Sequence, residues 1–196
     1  MEAATRCAVV TGAATGIGRA TAHAFARNGY AVALVGRRAE PLEEVADELR
    51  RSGGDAIAAP ADVAAPEQAA AAIGTAVERL GGIDALVNNA GVEDSGPLLE
   101  ESLERWEETL RINLTGAFLI TQLALPHLIE RRGAVVNVAS VNGILAGARL
   151  DVVLRLEGRA DHAREVRRER LRPPGGACKL RVSRLGADAD GRPRHG

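Results

Sequence analysis

Through the first 150 positions, short runs of β-branched and small apolar residues alternate with longer stretches whose apolar positions recur three or four apart. This switching between a strand period and a helix period is the pattern of repeated βα units around a parallel sheet. It predicts strands at 6–11, 31–35, 55–59, 83–87 and 134–139. Helices are predicted at 16–28, about 40–51, 66–80 and 106–130, the last bent near Pro126. Pro41 falls in the first turn of the second helix, and Gly53 lies just past its end, the usual places for these residues. The expected fold is α/β: a Rossmann-like, doubly wound parallel sheet that is incomplete, with five strands.

Beyond Gly147 the pattern stops. The stretch Arg164 to Arg172 (REVRRERLR) has too few apolar positions to give a helix a buried face, and Pro173, Pro174, Gly175 and Gly176 break any periodicity after it. Charge changes at the same place. Residues 1–150 carry 13 arginines against 19 acids, whereas residues 151–196 carry 12 basic against 7 acidic side chains, with no aromatic residue, isoleucine or methionine. The whole-chain net charge of -1 conceals this split. Two units are therefore expected: a folded domain at 1–150 and an arginine-rich tail at 151–196, irregular or disordered.

At 46% apolar residues, 196 positions suffice for one core. No apolar run approaches the roughly 20 residues that cross a bilayer, and the first eleven positions lack the basic and apolar regions of a secretory signal. Cys7 and Cys178 have no metal-ligand spacing and are too few for a disulfide framework, which fits a reducing cytoplasm. The basic tail makes a poor nucleic-acid arm: it has no aromatics for stacking, and Glu157, Asp161, Glu165 and Glu169 dilute its charge. His23, His127 and Trp106 read as helix-surface or packing residues.

The candidate chemistry lies in the turns that follow the predicted strands. Thr11 to Gly18 (TGAATGIG) joins a strand to a helix, where backbone amides and a helix N-terminus can hold a pyrophosphate. Asn88, Asn89, Ala90 and Gly91 follow the fourth strand, Ser140 follows the fifth, and Asn113 lies in the long helix. In an open parallel sheet such turns converge on one crevice, where a dinucleotide binds. Each has a plainer reading: a glycine-rich turn, Asp62 capping a turn, Asn88 tying strands together, Asn113 as a solvated helix residue.

Taken together, the glycine motif, Asp62-Val63, NNAG, Asn113 and the Ser140 segment (VNVASVNG) resemble the short-chain dehydrogenase/reductase family in order and spacing, over residues 6 to about 149. The resemblance implies an NAD(P)-dependent oxidoreductase that reduces carbonyls or oxidises alcohols by hydride transfer. It implies that Gly12, Thr15, Gly16, Ile17 and Gly18 hold the cofactor pyrophosphate. It likewise implies that Asp62 contacts adenine with Val63 beside it, and that Asn89, Ala90 and Gly91 line the ribose side. At the end of the second strand, where a carboxylate would select NAD, stand Gly36, Arg37 and Arg38. Arginine suits a 2′-phosphate, so NADP is expected, with NAD the alternative. The implied partner is a small carbonyl or alcohol substrate, with no nucleic acid or membrane and with the family's homo-oligomer impaired.

Of the family's catalytic groups, Ser140 and Asn113 are present: the resemblance gives Ser140 the task of polarising a carbonyl and Asn113 that of holding a relay water. A tyrosine thirteen residues after Ser140 and a lysine four later should complete them, but those positions hold Val153 and Glu157. Tyr30 and Lys179 are the only residues of their types, and Tyr30 precedes the second strand at the wrong end of the sheet. A phenol of pKa about 10 needs a nearby cation to act near neutrality, so the chain as written is expected to have little or no turnover. An NADP(H)-binding protein without catalysis is the alternative.

The genetic code offers an origin for the tail. With codons displaced by one base, Asp151 to His162 (DVVLRLEGRADH) can be decoded as TSYCASKGGLTT, which puts a tyrosine at position 153 and a lysine at 157. Arg172 to Ala189 (RPPGGACKLRVSRLGADA) likewise yields APRGVRVNCVSPGWVRTP, similar to the family's next strand and its proline-glycine loop. Residues from about 150 onward are therefore expected to be translated out of frame.

Overall fold

The computed structural model describes residues 5–93 and 98–140. The expected tail, with Val153, Glu157 and Lys179, lies outside the described residues. Five strands, β1 (Arg6–Thr11), β2 (Tyr30–Gly36), β3 (Ala56–Pro60), β4 (Ala85–Asn88) and β5 (Ala134–Asn137), form one sheet in the order β3-β2-β1-β4-β5. Every pairing is parallel. The connecting helices are α1 (Gly16–Arg27), α2 (Ala39–Arg51), α3 (Pro66–Leu80), α4 (Leu103–Leu110) and α5 (Ala117–Arg131). Strand order reverses at β1, which lies between β2 and β4, so a crevice opens above the carboxyl ends of β1 and β4.

A parallel sheet covered on both faces needs strands apolar throughout, and β1 and β2 meet that need. Cys7, Ala8, Val9, Val10 and, from β2, Ala31 to Val35 are all buried. Two core layers result. Val9, Ala33, Val35 and Leu86 pack with Ile73 of α3 and with Ile120, Ala124 and Leu128 of α5. On the other face Val10, Val32, Leu34 and Val87 pack with Ala22 of α1 and with Leu42, Val45 and Leu49 of α2. Each fully buried Leu, Val or Ile contributes about 1.5–3 kcal/mol of transfer free energy, so these layers are the main support of the fold.

Local signals set the element ends. Pro66 opens α3, and Gly81 closes it in the left-handed conformation at φ 81°. Tyr30 stands at the start of β2, edge-on to Phe25 at 5.0 Å and beneath the Arg6 guanidinium at 4.3 Å, far from the crevice, as the sequence indicated. His23 bridges α1 to α2 through Glu48, at 3.2 Å.

The long helix departs from expectation. It starts three residues earlier, at Leu103, because the Ser102 hydroxyl caps it by accepting a hydrogen bond from the Arg105 amide. Its irregularity is a π-helical segment at Arg111–Gly116, while α5 runs on through Pro126. Leu103–Arg131 as a whole is long and apolar enough to cross a membrane by length and composition alone, although Asn113, Thr115, Thr121 and Gln122 keep it from being an unbroken apolar run. One stripe of this helix is buried against α3 and the sheet, and the opposite stripe, with Leu114, Phe118, Leu125 and Ile129, is exposed.

Candidate functional site

Thr11 ends β1 and organises the rim of the crevice. Its hydroxyl oxygen accepts hydrogen bonds from the amides of Asn89 and Ala90, both at 2.9 Å, and its own proton faces the Val87 carbonyl at 3.4 Å. The Asn89 side-chain amide in turn donates to the carbonyls of Thr11 and Gly12, at 3.0 and 3.3 Å. The turn after β1 and the turn after β4 are thereby fastened together.

Their closeness explains two glycines. Gly12 has φ +64°, and a Cβ there would stand 2.9 Å from Ala90 Cα. A Cβ on Gly18 would fall 2.2 Å from the Gly12 carbonyl oxygen, so α1 packs directly on the turn that feeds it. Helix α1 has no side-chain cap at Thr15, which leaves its first-turn amides pointing outward with the positive end of the helix dipole. Thr15, Gly16 and Ile17 are exposed there.

Below these amides lies a cleft of about 520 Å³, whose lining includes Gly12, Thr15, Arg37, Asp62, Ala90 and Gly91. Val63 and Ile112 form part of its apolar wall. Arg37 and Arg38 stand exposed at the end of β2, on the same side as Asp62. Asp62 does cap a turn: one carboxylate oxygen accepts from the Ala64 amide at 3.0 Å. The other accepts from Arg111 Nη1 at 2.9 Å. Partial burial alone would raise the Asp62 carboxyl, but the Ala64 amide, Arg111 and Arg37 outweigh it and hold the group below its usual range.

Asn113 is no solvated helix residue. Its side-chain oxygen accepts from the Val92 amide and its nitrogen donates to the Val92 carbonyl, both at 2.8 Å, which pins the loop after β4 to the π-helical segment. These two bonds use one donor and one acceptor site of the amide, so its side chain anchors the loop with a second N–H and a second lone pair left over. Asn88 ties strands together as its plainer reading stated: its side-chain nitrogen donates to Asn137 on β5 and to Thr121 on α5. Ser140 follows β5 on the rim, three residues past the level at which Asn137 pairs with Asn88. The structure thus brings Gly12, Thr15, Arg37, Asp62, Val63, Ala90 and Gly91 around one cleft, while Asn89 is turned to the Thr11 and Gly12 carbonyls. Thr11 and Arg111 are the residues that sequence reasoning left out.

The profile of the short chain dehydrogenase family matches residues 6–152. The chain belongs to that family. Among curated members, meso-2,3-butanediol dehydrogenase of Serratia marcescens is 37% identical over 136 residues, covering 69% of this chain and 53% of its own. The 3-oxoacyl-(acyl-carrier-protein) reductase FabG of Staphylococcus aureus is 38% identical over 142 residues, 71% of this chain and 57% of its own. The chain thus spans about half the length of the curated relatives it matches. Among solved structures, a dehydrogenase/reductase from Sinorhizobium meliloti superposes with a TM-score of 0.81 at 32% identity, covering 91% of this chain and 71% of the other. Actinorhodin polyketide ketoreductase with NADPH gives 0.75 at 32% identity, covering 81% and 62%. The short-chain dehydrogenase fold of the described residues agrees with all of these.

Proposed function

We propose that this chain is the dinucleotide-binding part of an NADP(H)-dependent short-chain dehydrogenase/reductase acting on a small carbonyl or alcohol in the cytoplasm, and that as written it binds cofactor without turning over. The carrying observation is the cleft at the reversal of strand order, lined by an uncapped helix N-terminus, two exposed arginines and the Asp62 carboxylate. Its residues fit a dinucleotide phosphate: the uncapped first turn of α1 leaves its backbone amides open to a pyrophosphate, and no carboxylate stands at the end of β2 to repel a 2′-phosphate. NAD is the alternative cofactor.

When bound, the nicotinamide supplies or accepts the hydride. In our reading Gly12, Thr15, Gly16, Ile17 and Gly18 hold the pyrophosphate, and Arg37 clasps the 2′-phosphate. Asp62 accepts the adenine amino group beside Val63, and Asn89, Ala90 and Gly91 bound the ribose. Ser140 donates to the substrate carbonyl oxygen and so favours charge developing there. Asn113 holds the relay water, and its bonds to Val92 fix the loop after β4. The proton donor is what this chain lacks, since Val153 and Glu157 carry no acid of suitable pKa beside a cation. A non-catalytic NADP(H)-binding protein is the second reading, and those two residues favour it.

The out-of-frame origin of residues after about 150 joins the two readings, and the gene decides it: the displaced frame must encode tyrosine at codon 153 and lysine at 157. The functional test compares the 196-residue chain with a frame-restored protein. The first should quench on NADPH titration to saturation and leave NADPH unoxidised with small aldehydes and ketones. The second should oxidise it, and lose that activity when its tyrosine is replaced by phenylalanine. Absence of saturable NADPH binding by both proteins would refute the proposal, and turnover by the chain as written would refute its catalytic half.

A further inference from the structure

The described residues carry one arrangement around the cleft that the family reading leaves unassigned. Arg111 stands behind Asp62, outside the residues that line the cleft, and donates from Nη1 to the Asp62 carboxylate at 2.9 Å. The guanidinium is itself held: Nε and Nη2 lie 3.0 to 3.1 Å from the Glu108 carboxylate, one helical turn earlier. A planar fork gripped along one edge presents its remaining donor in a fixed direction. Asp62 is meanwhile fixed through its backbone, its amide donating to Gln68 Oε1 at 2.9 Å and its carbonyl accepting from the Ala65 amide at 3.0 Å. What remains free is the rotation of the carboxylate, and Ala64 and Arg111 settle it by occupying one oxygen each.

The same segment reaches the other side of the cleft. Successive residues of a helix diverge by about 100°. Over three positions Arg111 meets the loop after β3, Ile112 enters the cleft wall and Asn113 clamps the Val92 backbone after β4. Gly116 completes the contact, since a Cβ there would lie 2.7 Å from Val63 Cγ2. The π-helical widening at Arg111–Gly116 is what lets one stretch of chain serve both loops.

We infer that Arg111 is a positioning residue for adenine recognition: it holds the Asp62 carboxylate aimed in one direction, so that the carboxylate discriminates a 6-amino purine from its 6-oxo counterpart. The inference rests on the dinucleotide reading above. A carboxylate accepts from an amino group and repels an oxo group, so a rigid one selects strongly and a rotating one selects weakly.

The experiment measures dissociation constants of NADPH and of its hypoxanthine analogue on the full chain, for the wild type, Arg111→Lys and Arg111→Met. The wild type should prefer NADPH by about tenfold, the lysine variant should keep part of that preference, and the methionine variant should lose most of it. Equal weakening of both ligands in Arg111→Met, with the ratio unchanged, would reduce Arg111 to a structural residue and overturn the inference. If the wild type binds neither ligand, the dinucleotide reading falls, and the Asp62 carboxyl followed by ¹³C NMR still judges Arg111. Its titration midpoint should rise in Arg111→Met, and an unmoved midpoint would overturn the inference on its own.

Discussion

Replacing Gly18 by alanine tests how closely α1 and the glycine turn are fitted. The new Cβ would stand 2.2 Å from the Gly12 carbonyl oxygen and 2.5 Å from Asn89 Nδ2. A carbon–oxygen contact relaxes at about 3.3 Å, so the first turn of α1 must withdraw by about 1 Å. Neither neighbour can yield cheaply, because one is backbone and the other spans Thr11 and Gly12 by hydrogen bonds. Overpacking of this kind costs about 1–3 kcal/mol. Weakening the two Asn89 bonds adds about 1 kcal/mol, and the better helix propensity of alanine returns about 0.5–1. The expected loss is about 1–3.5 kcal/mol, a urea midpoint lower by about 0.5–1.8 M at a typical slope of about 2 kcal/mol/M. Gly16→Ala is the control: its Cβ meets nothing within 4 Å, and the cost is the left-handed backbone alone, φ +54°, about 1–2 kcal/mol. A Gly18→Ala loss below about 0.5 kcal/mol would refute the packing argument.

Three further outcomes are expected. Burial, with Asp84 adding to it, pushes the Cys7 thiol up to about 12, so in a Cys178→Ser protein a thiol reagent at pH 8 should label Cys7 only after denaturant is added. Thr11→Val keeps the shape but orphans the Asn89 and Ala90 amides, and should lower stability by about 1–3 kcal/mol in urea titration. Asp62 is depressed in the folded state, so the stabilisation it gains from Arg111 is complete above the ordinary Asp value of about 3.9 and fades as pH falls through the lower folded value. Acid unfolding curves of wild type and Arg111→Met should therefore converge at the acid end, and a gap that widens there would contradict the assignment.

The parts legible in the sequence were those decided locally. Alternating periods placed all five strands, and Pro41 with Gly53 marked the ends of α2 because a proline in the first helical turn and a left-handed glycine just past the end act within one turn. Ser102 was equally local but went unread, since three acids among the next six residues drew the helix start toward Trp106. The π-helical segment was not legible, because its contacts run to Val92 and Asp62, 21 and 49 residues away. For the same reason Asn113 read as a solvated side chain until its partner was in view. Arg111, a charged residue on an amphipathic helix, has no local mark that separates it from ordinary surface charge.

Reversal of strand order at β1 has a consequence for how a ligand's affinity is shared along its length. On one side β1, β2 and β3 with α1 and α2 form a complete three-strand unit, carrying Arg37, Asp62 and the glycine turn. On the other, among the described residues, stand the short β4 and β5 with α5, and the cleft lining they carry after β4 is Ala90, Gly91 and Val92. The charged residues that line the cleft, Arg37, Arg38 and Asp62, all belong to the first side, so under the proposed dinucleotide reading the adenosine bisphosphate moiety should carry most of the binding free energy. Immobilised 2′,5′-ADP should therefore retain the chain nearly as well as the whole dinucleotide does, and free nicotinamide mononucleotide should elute little of it.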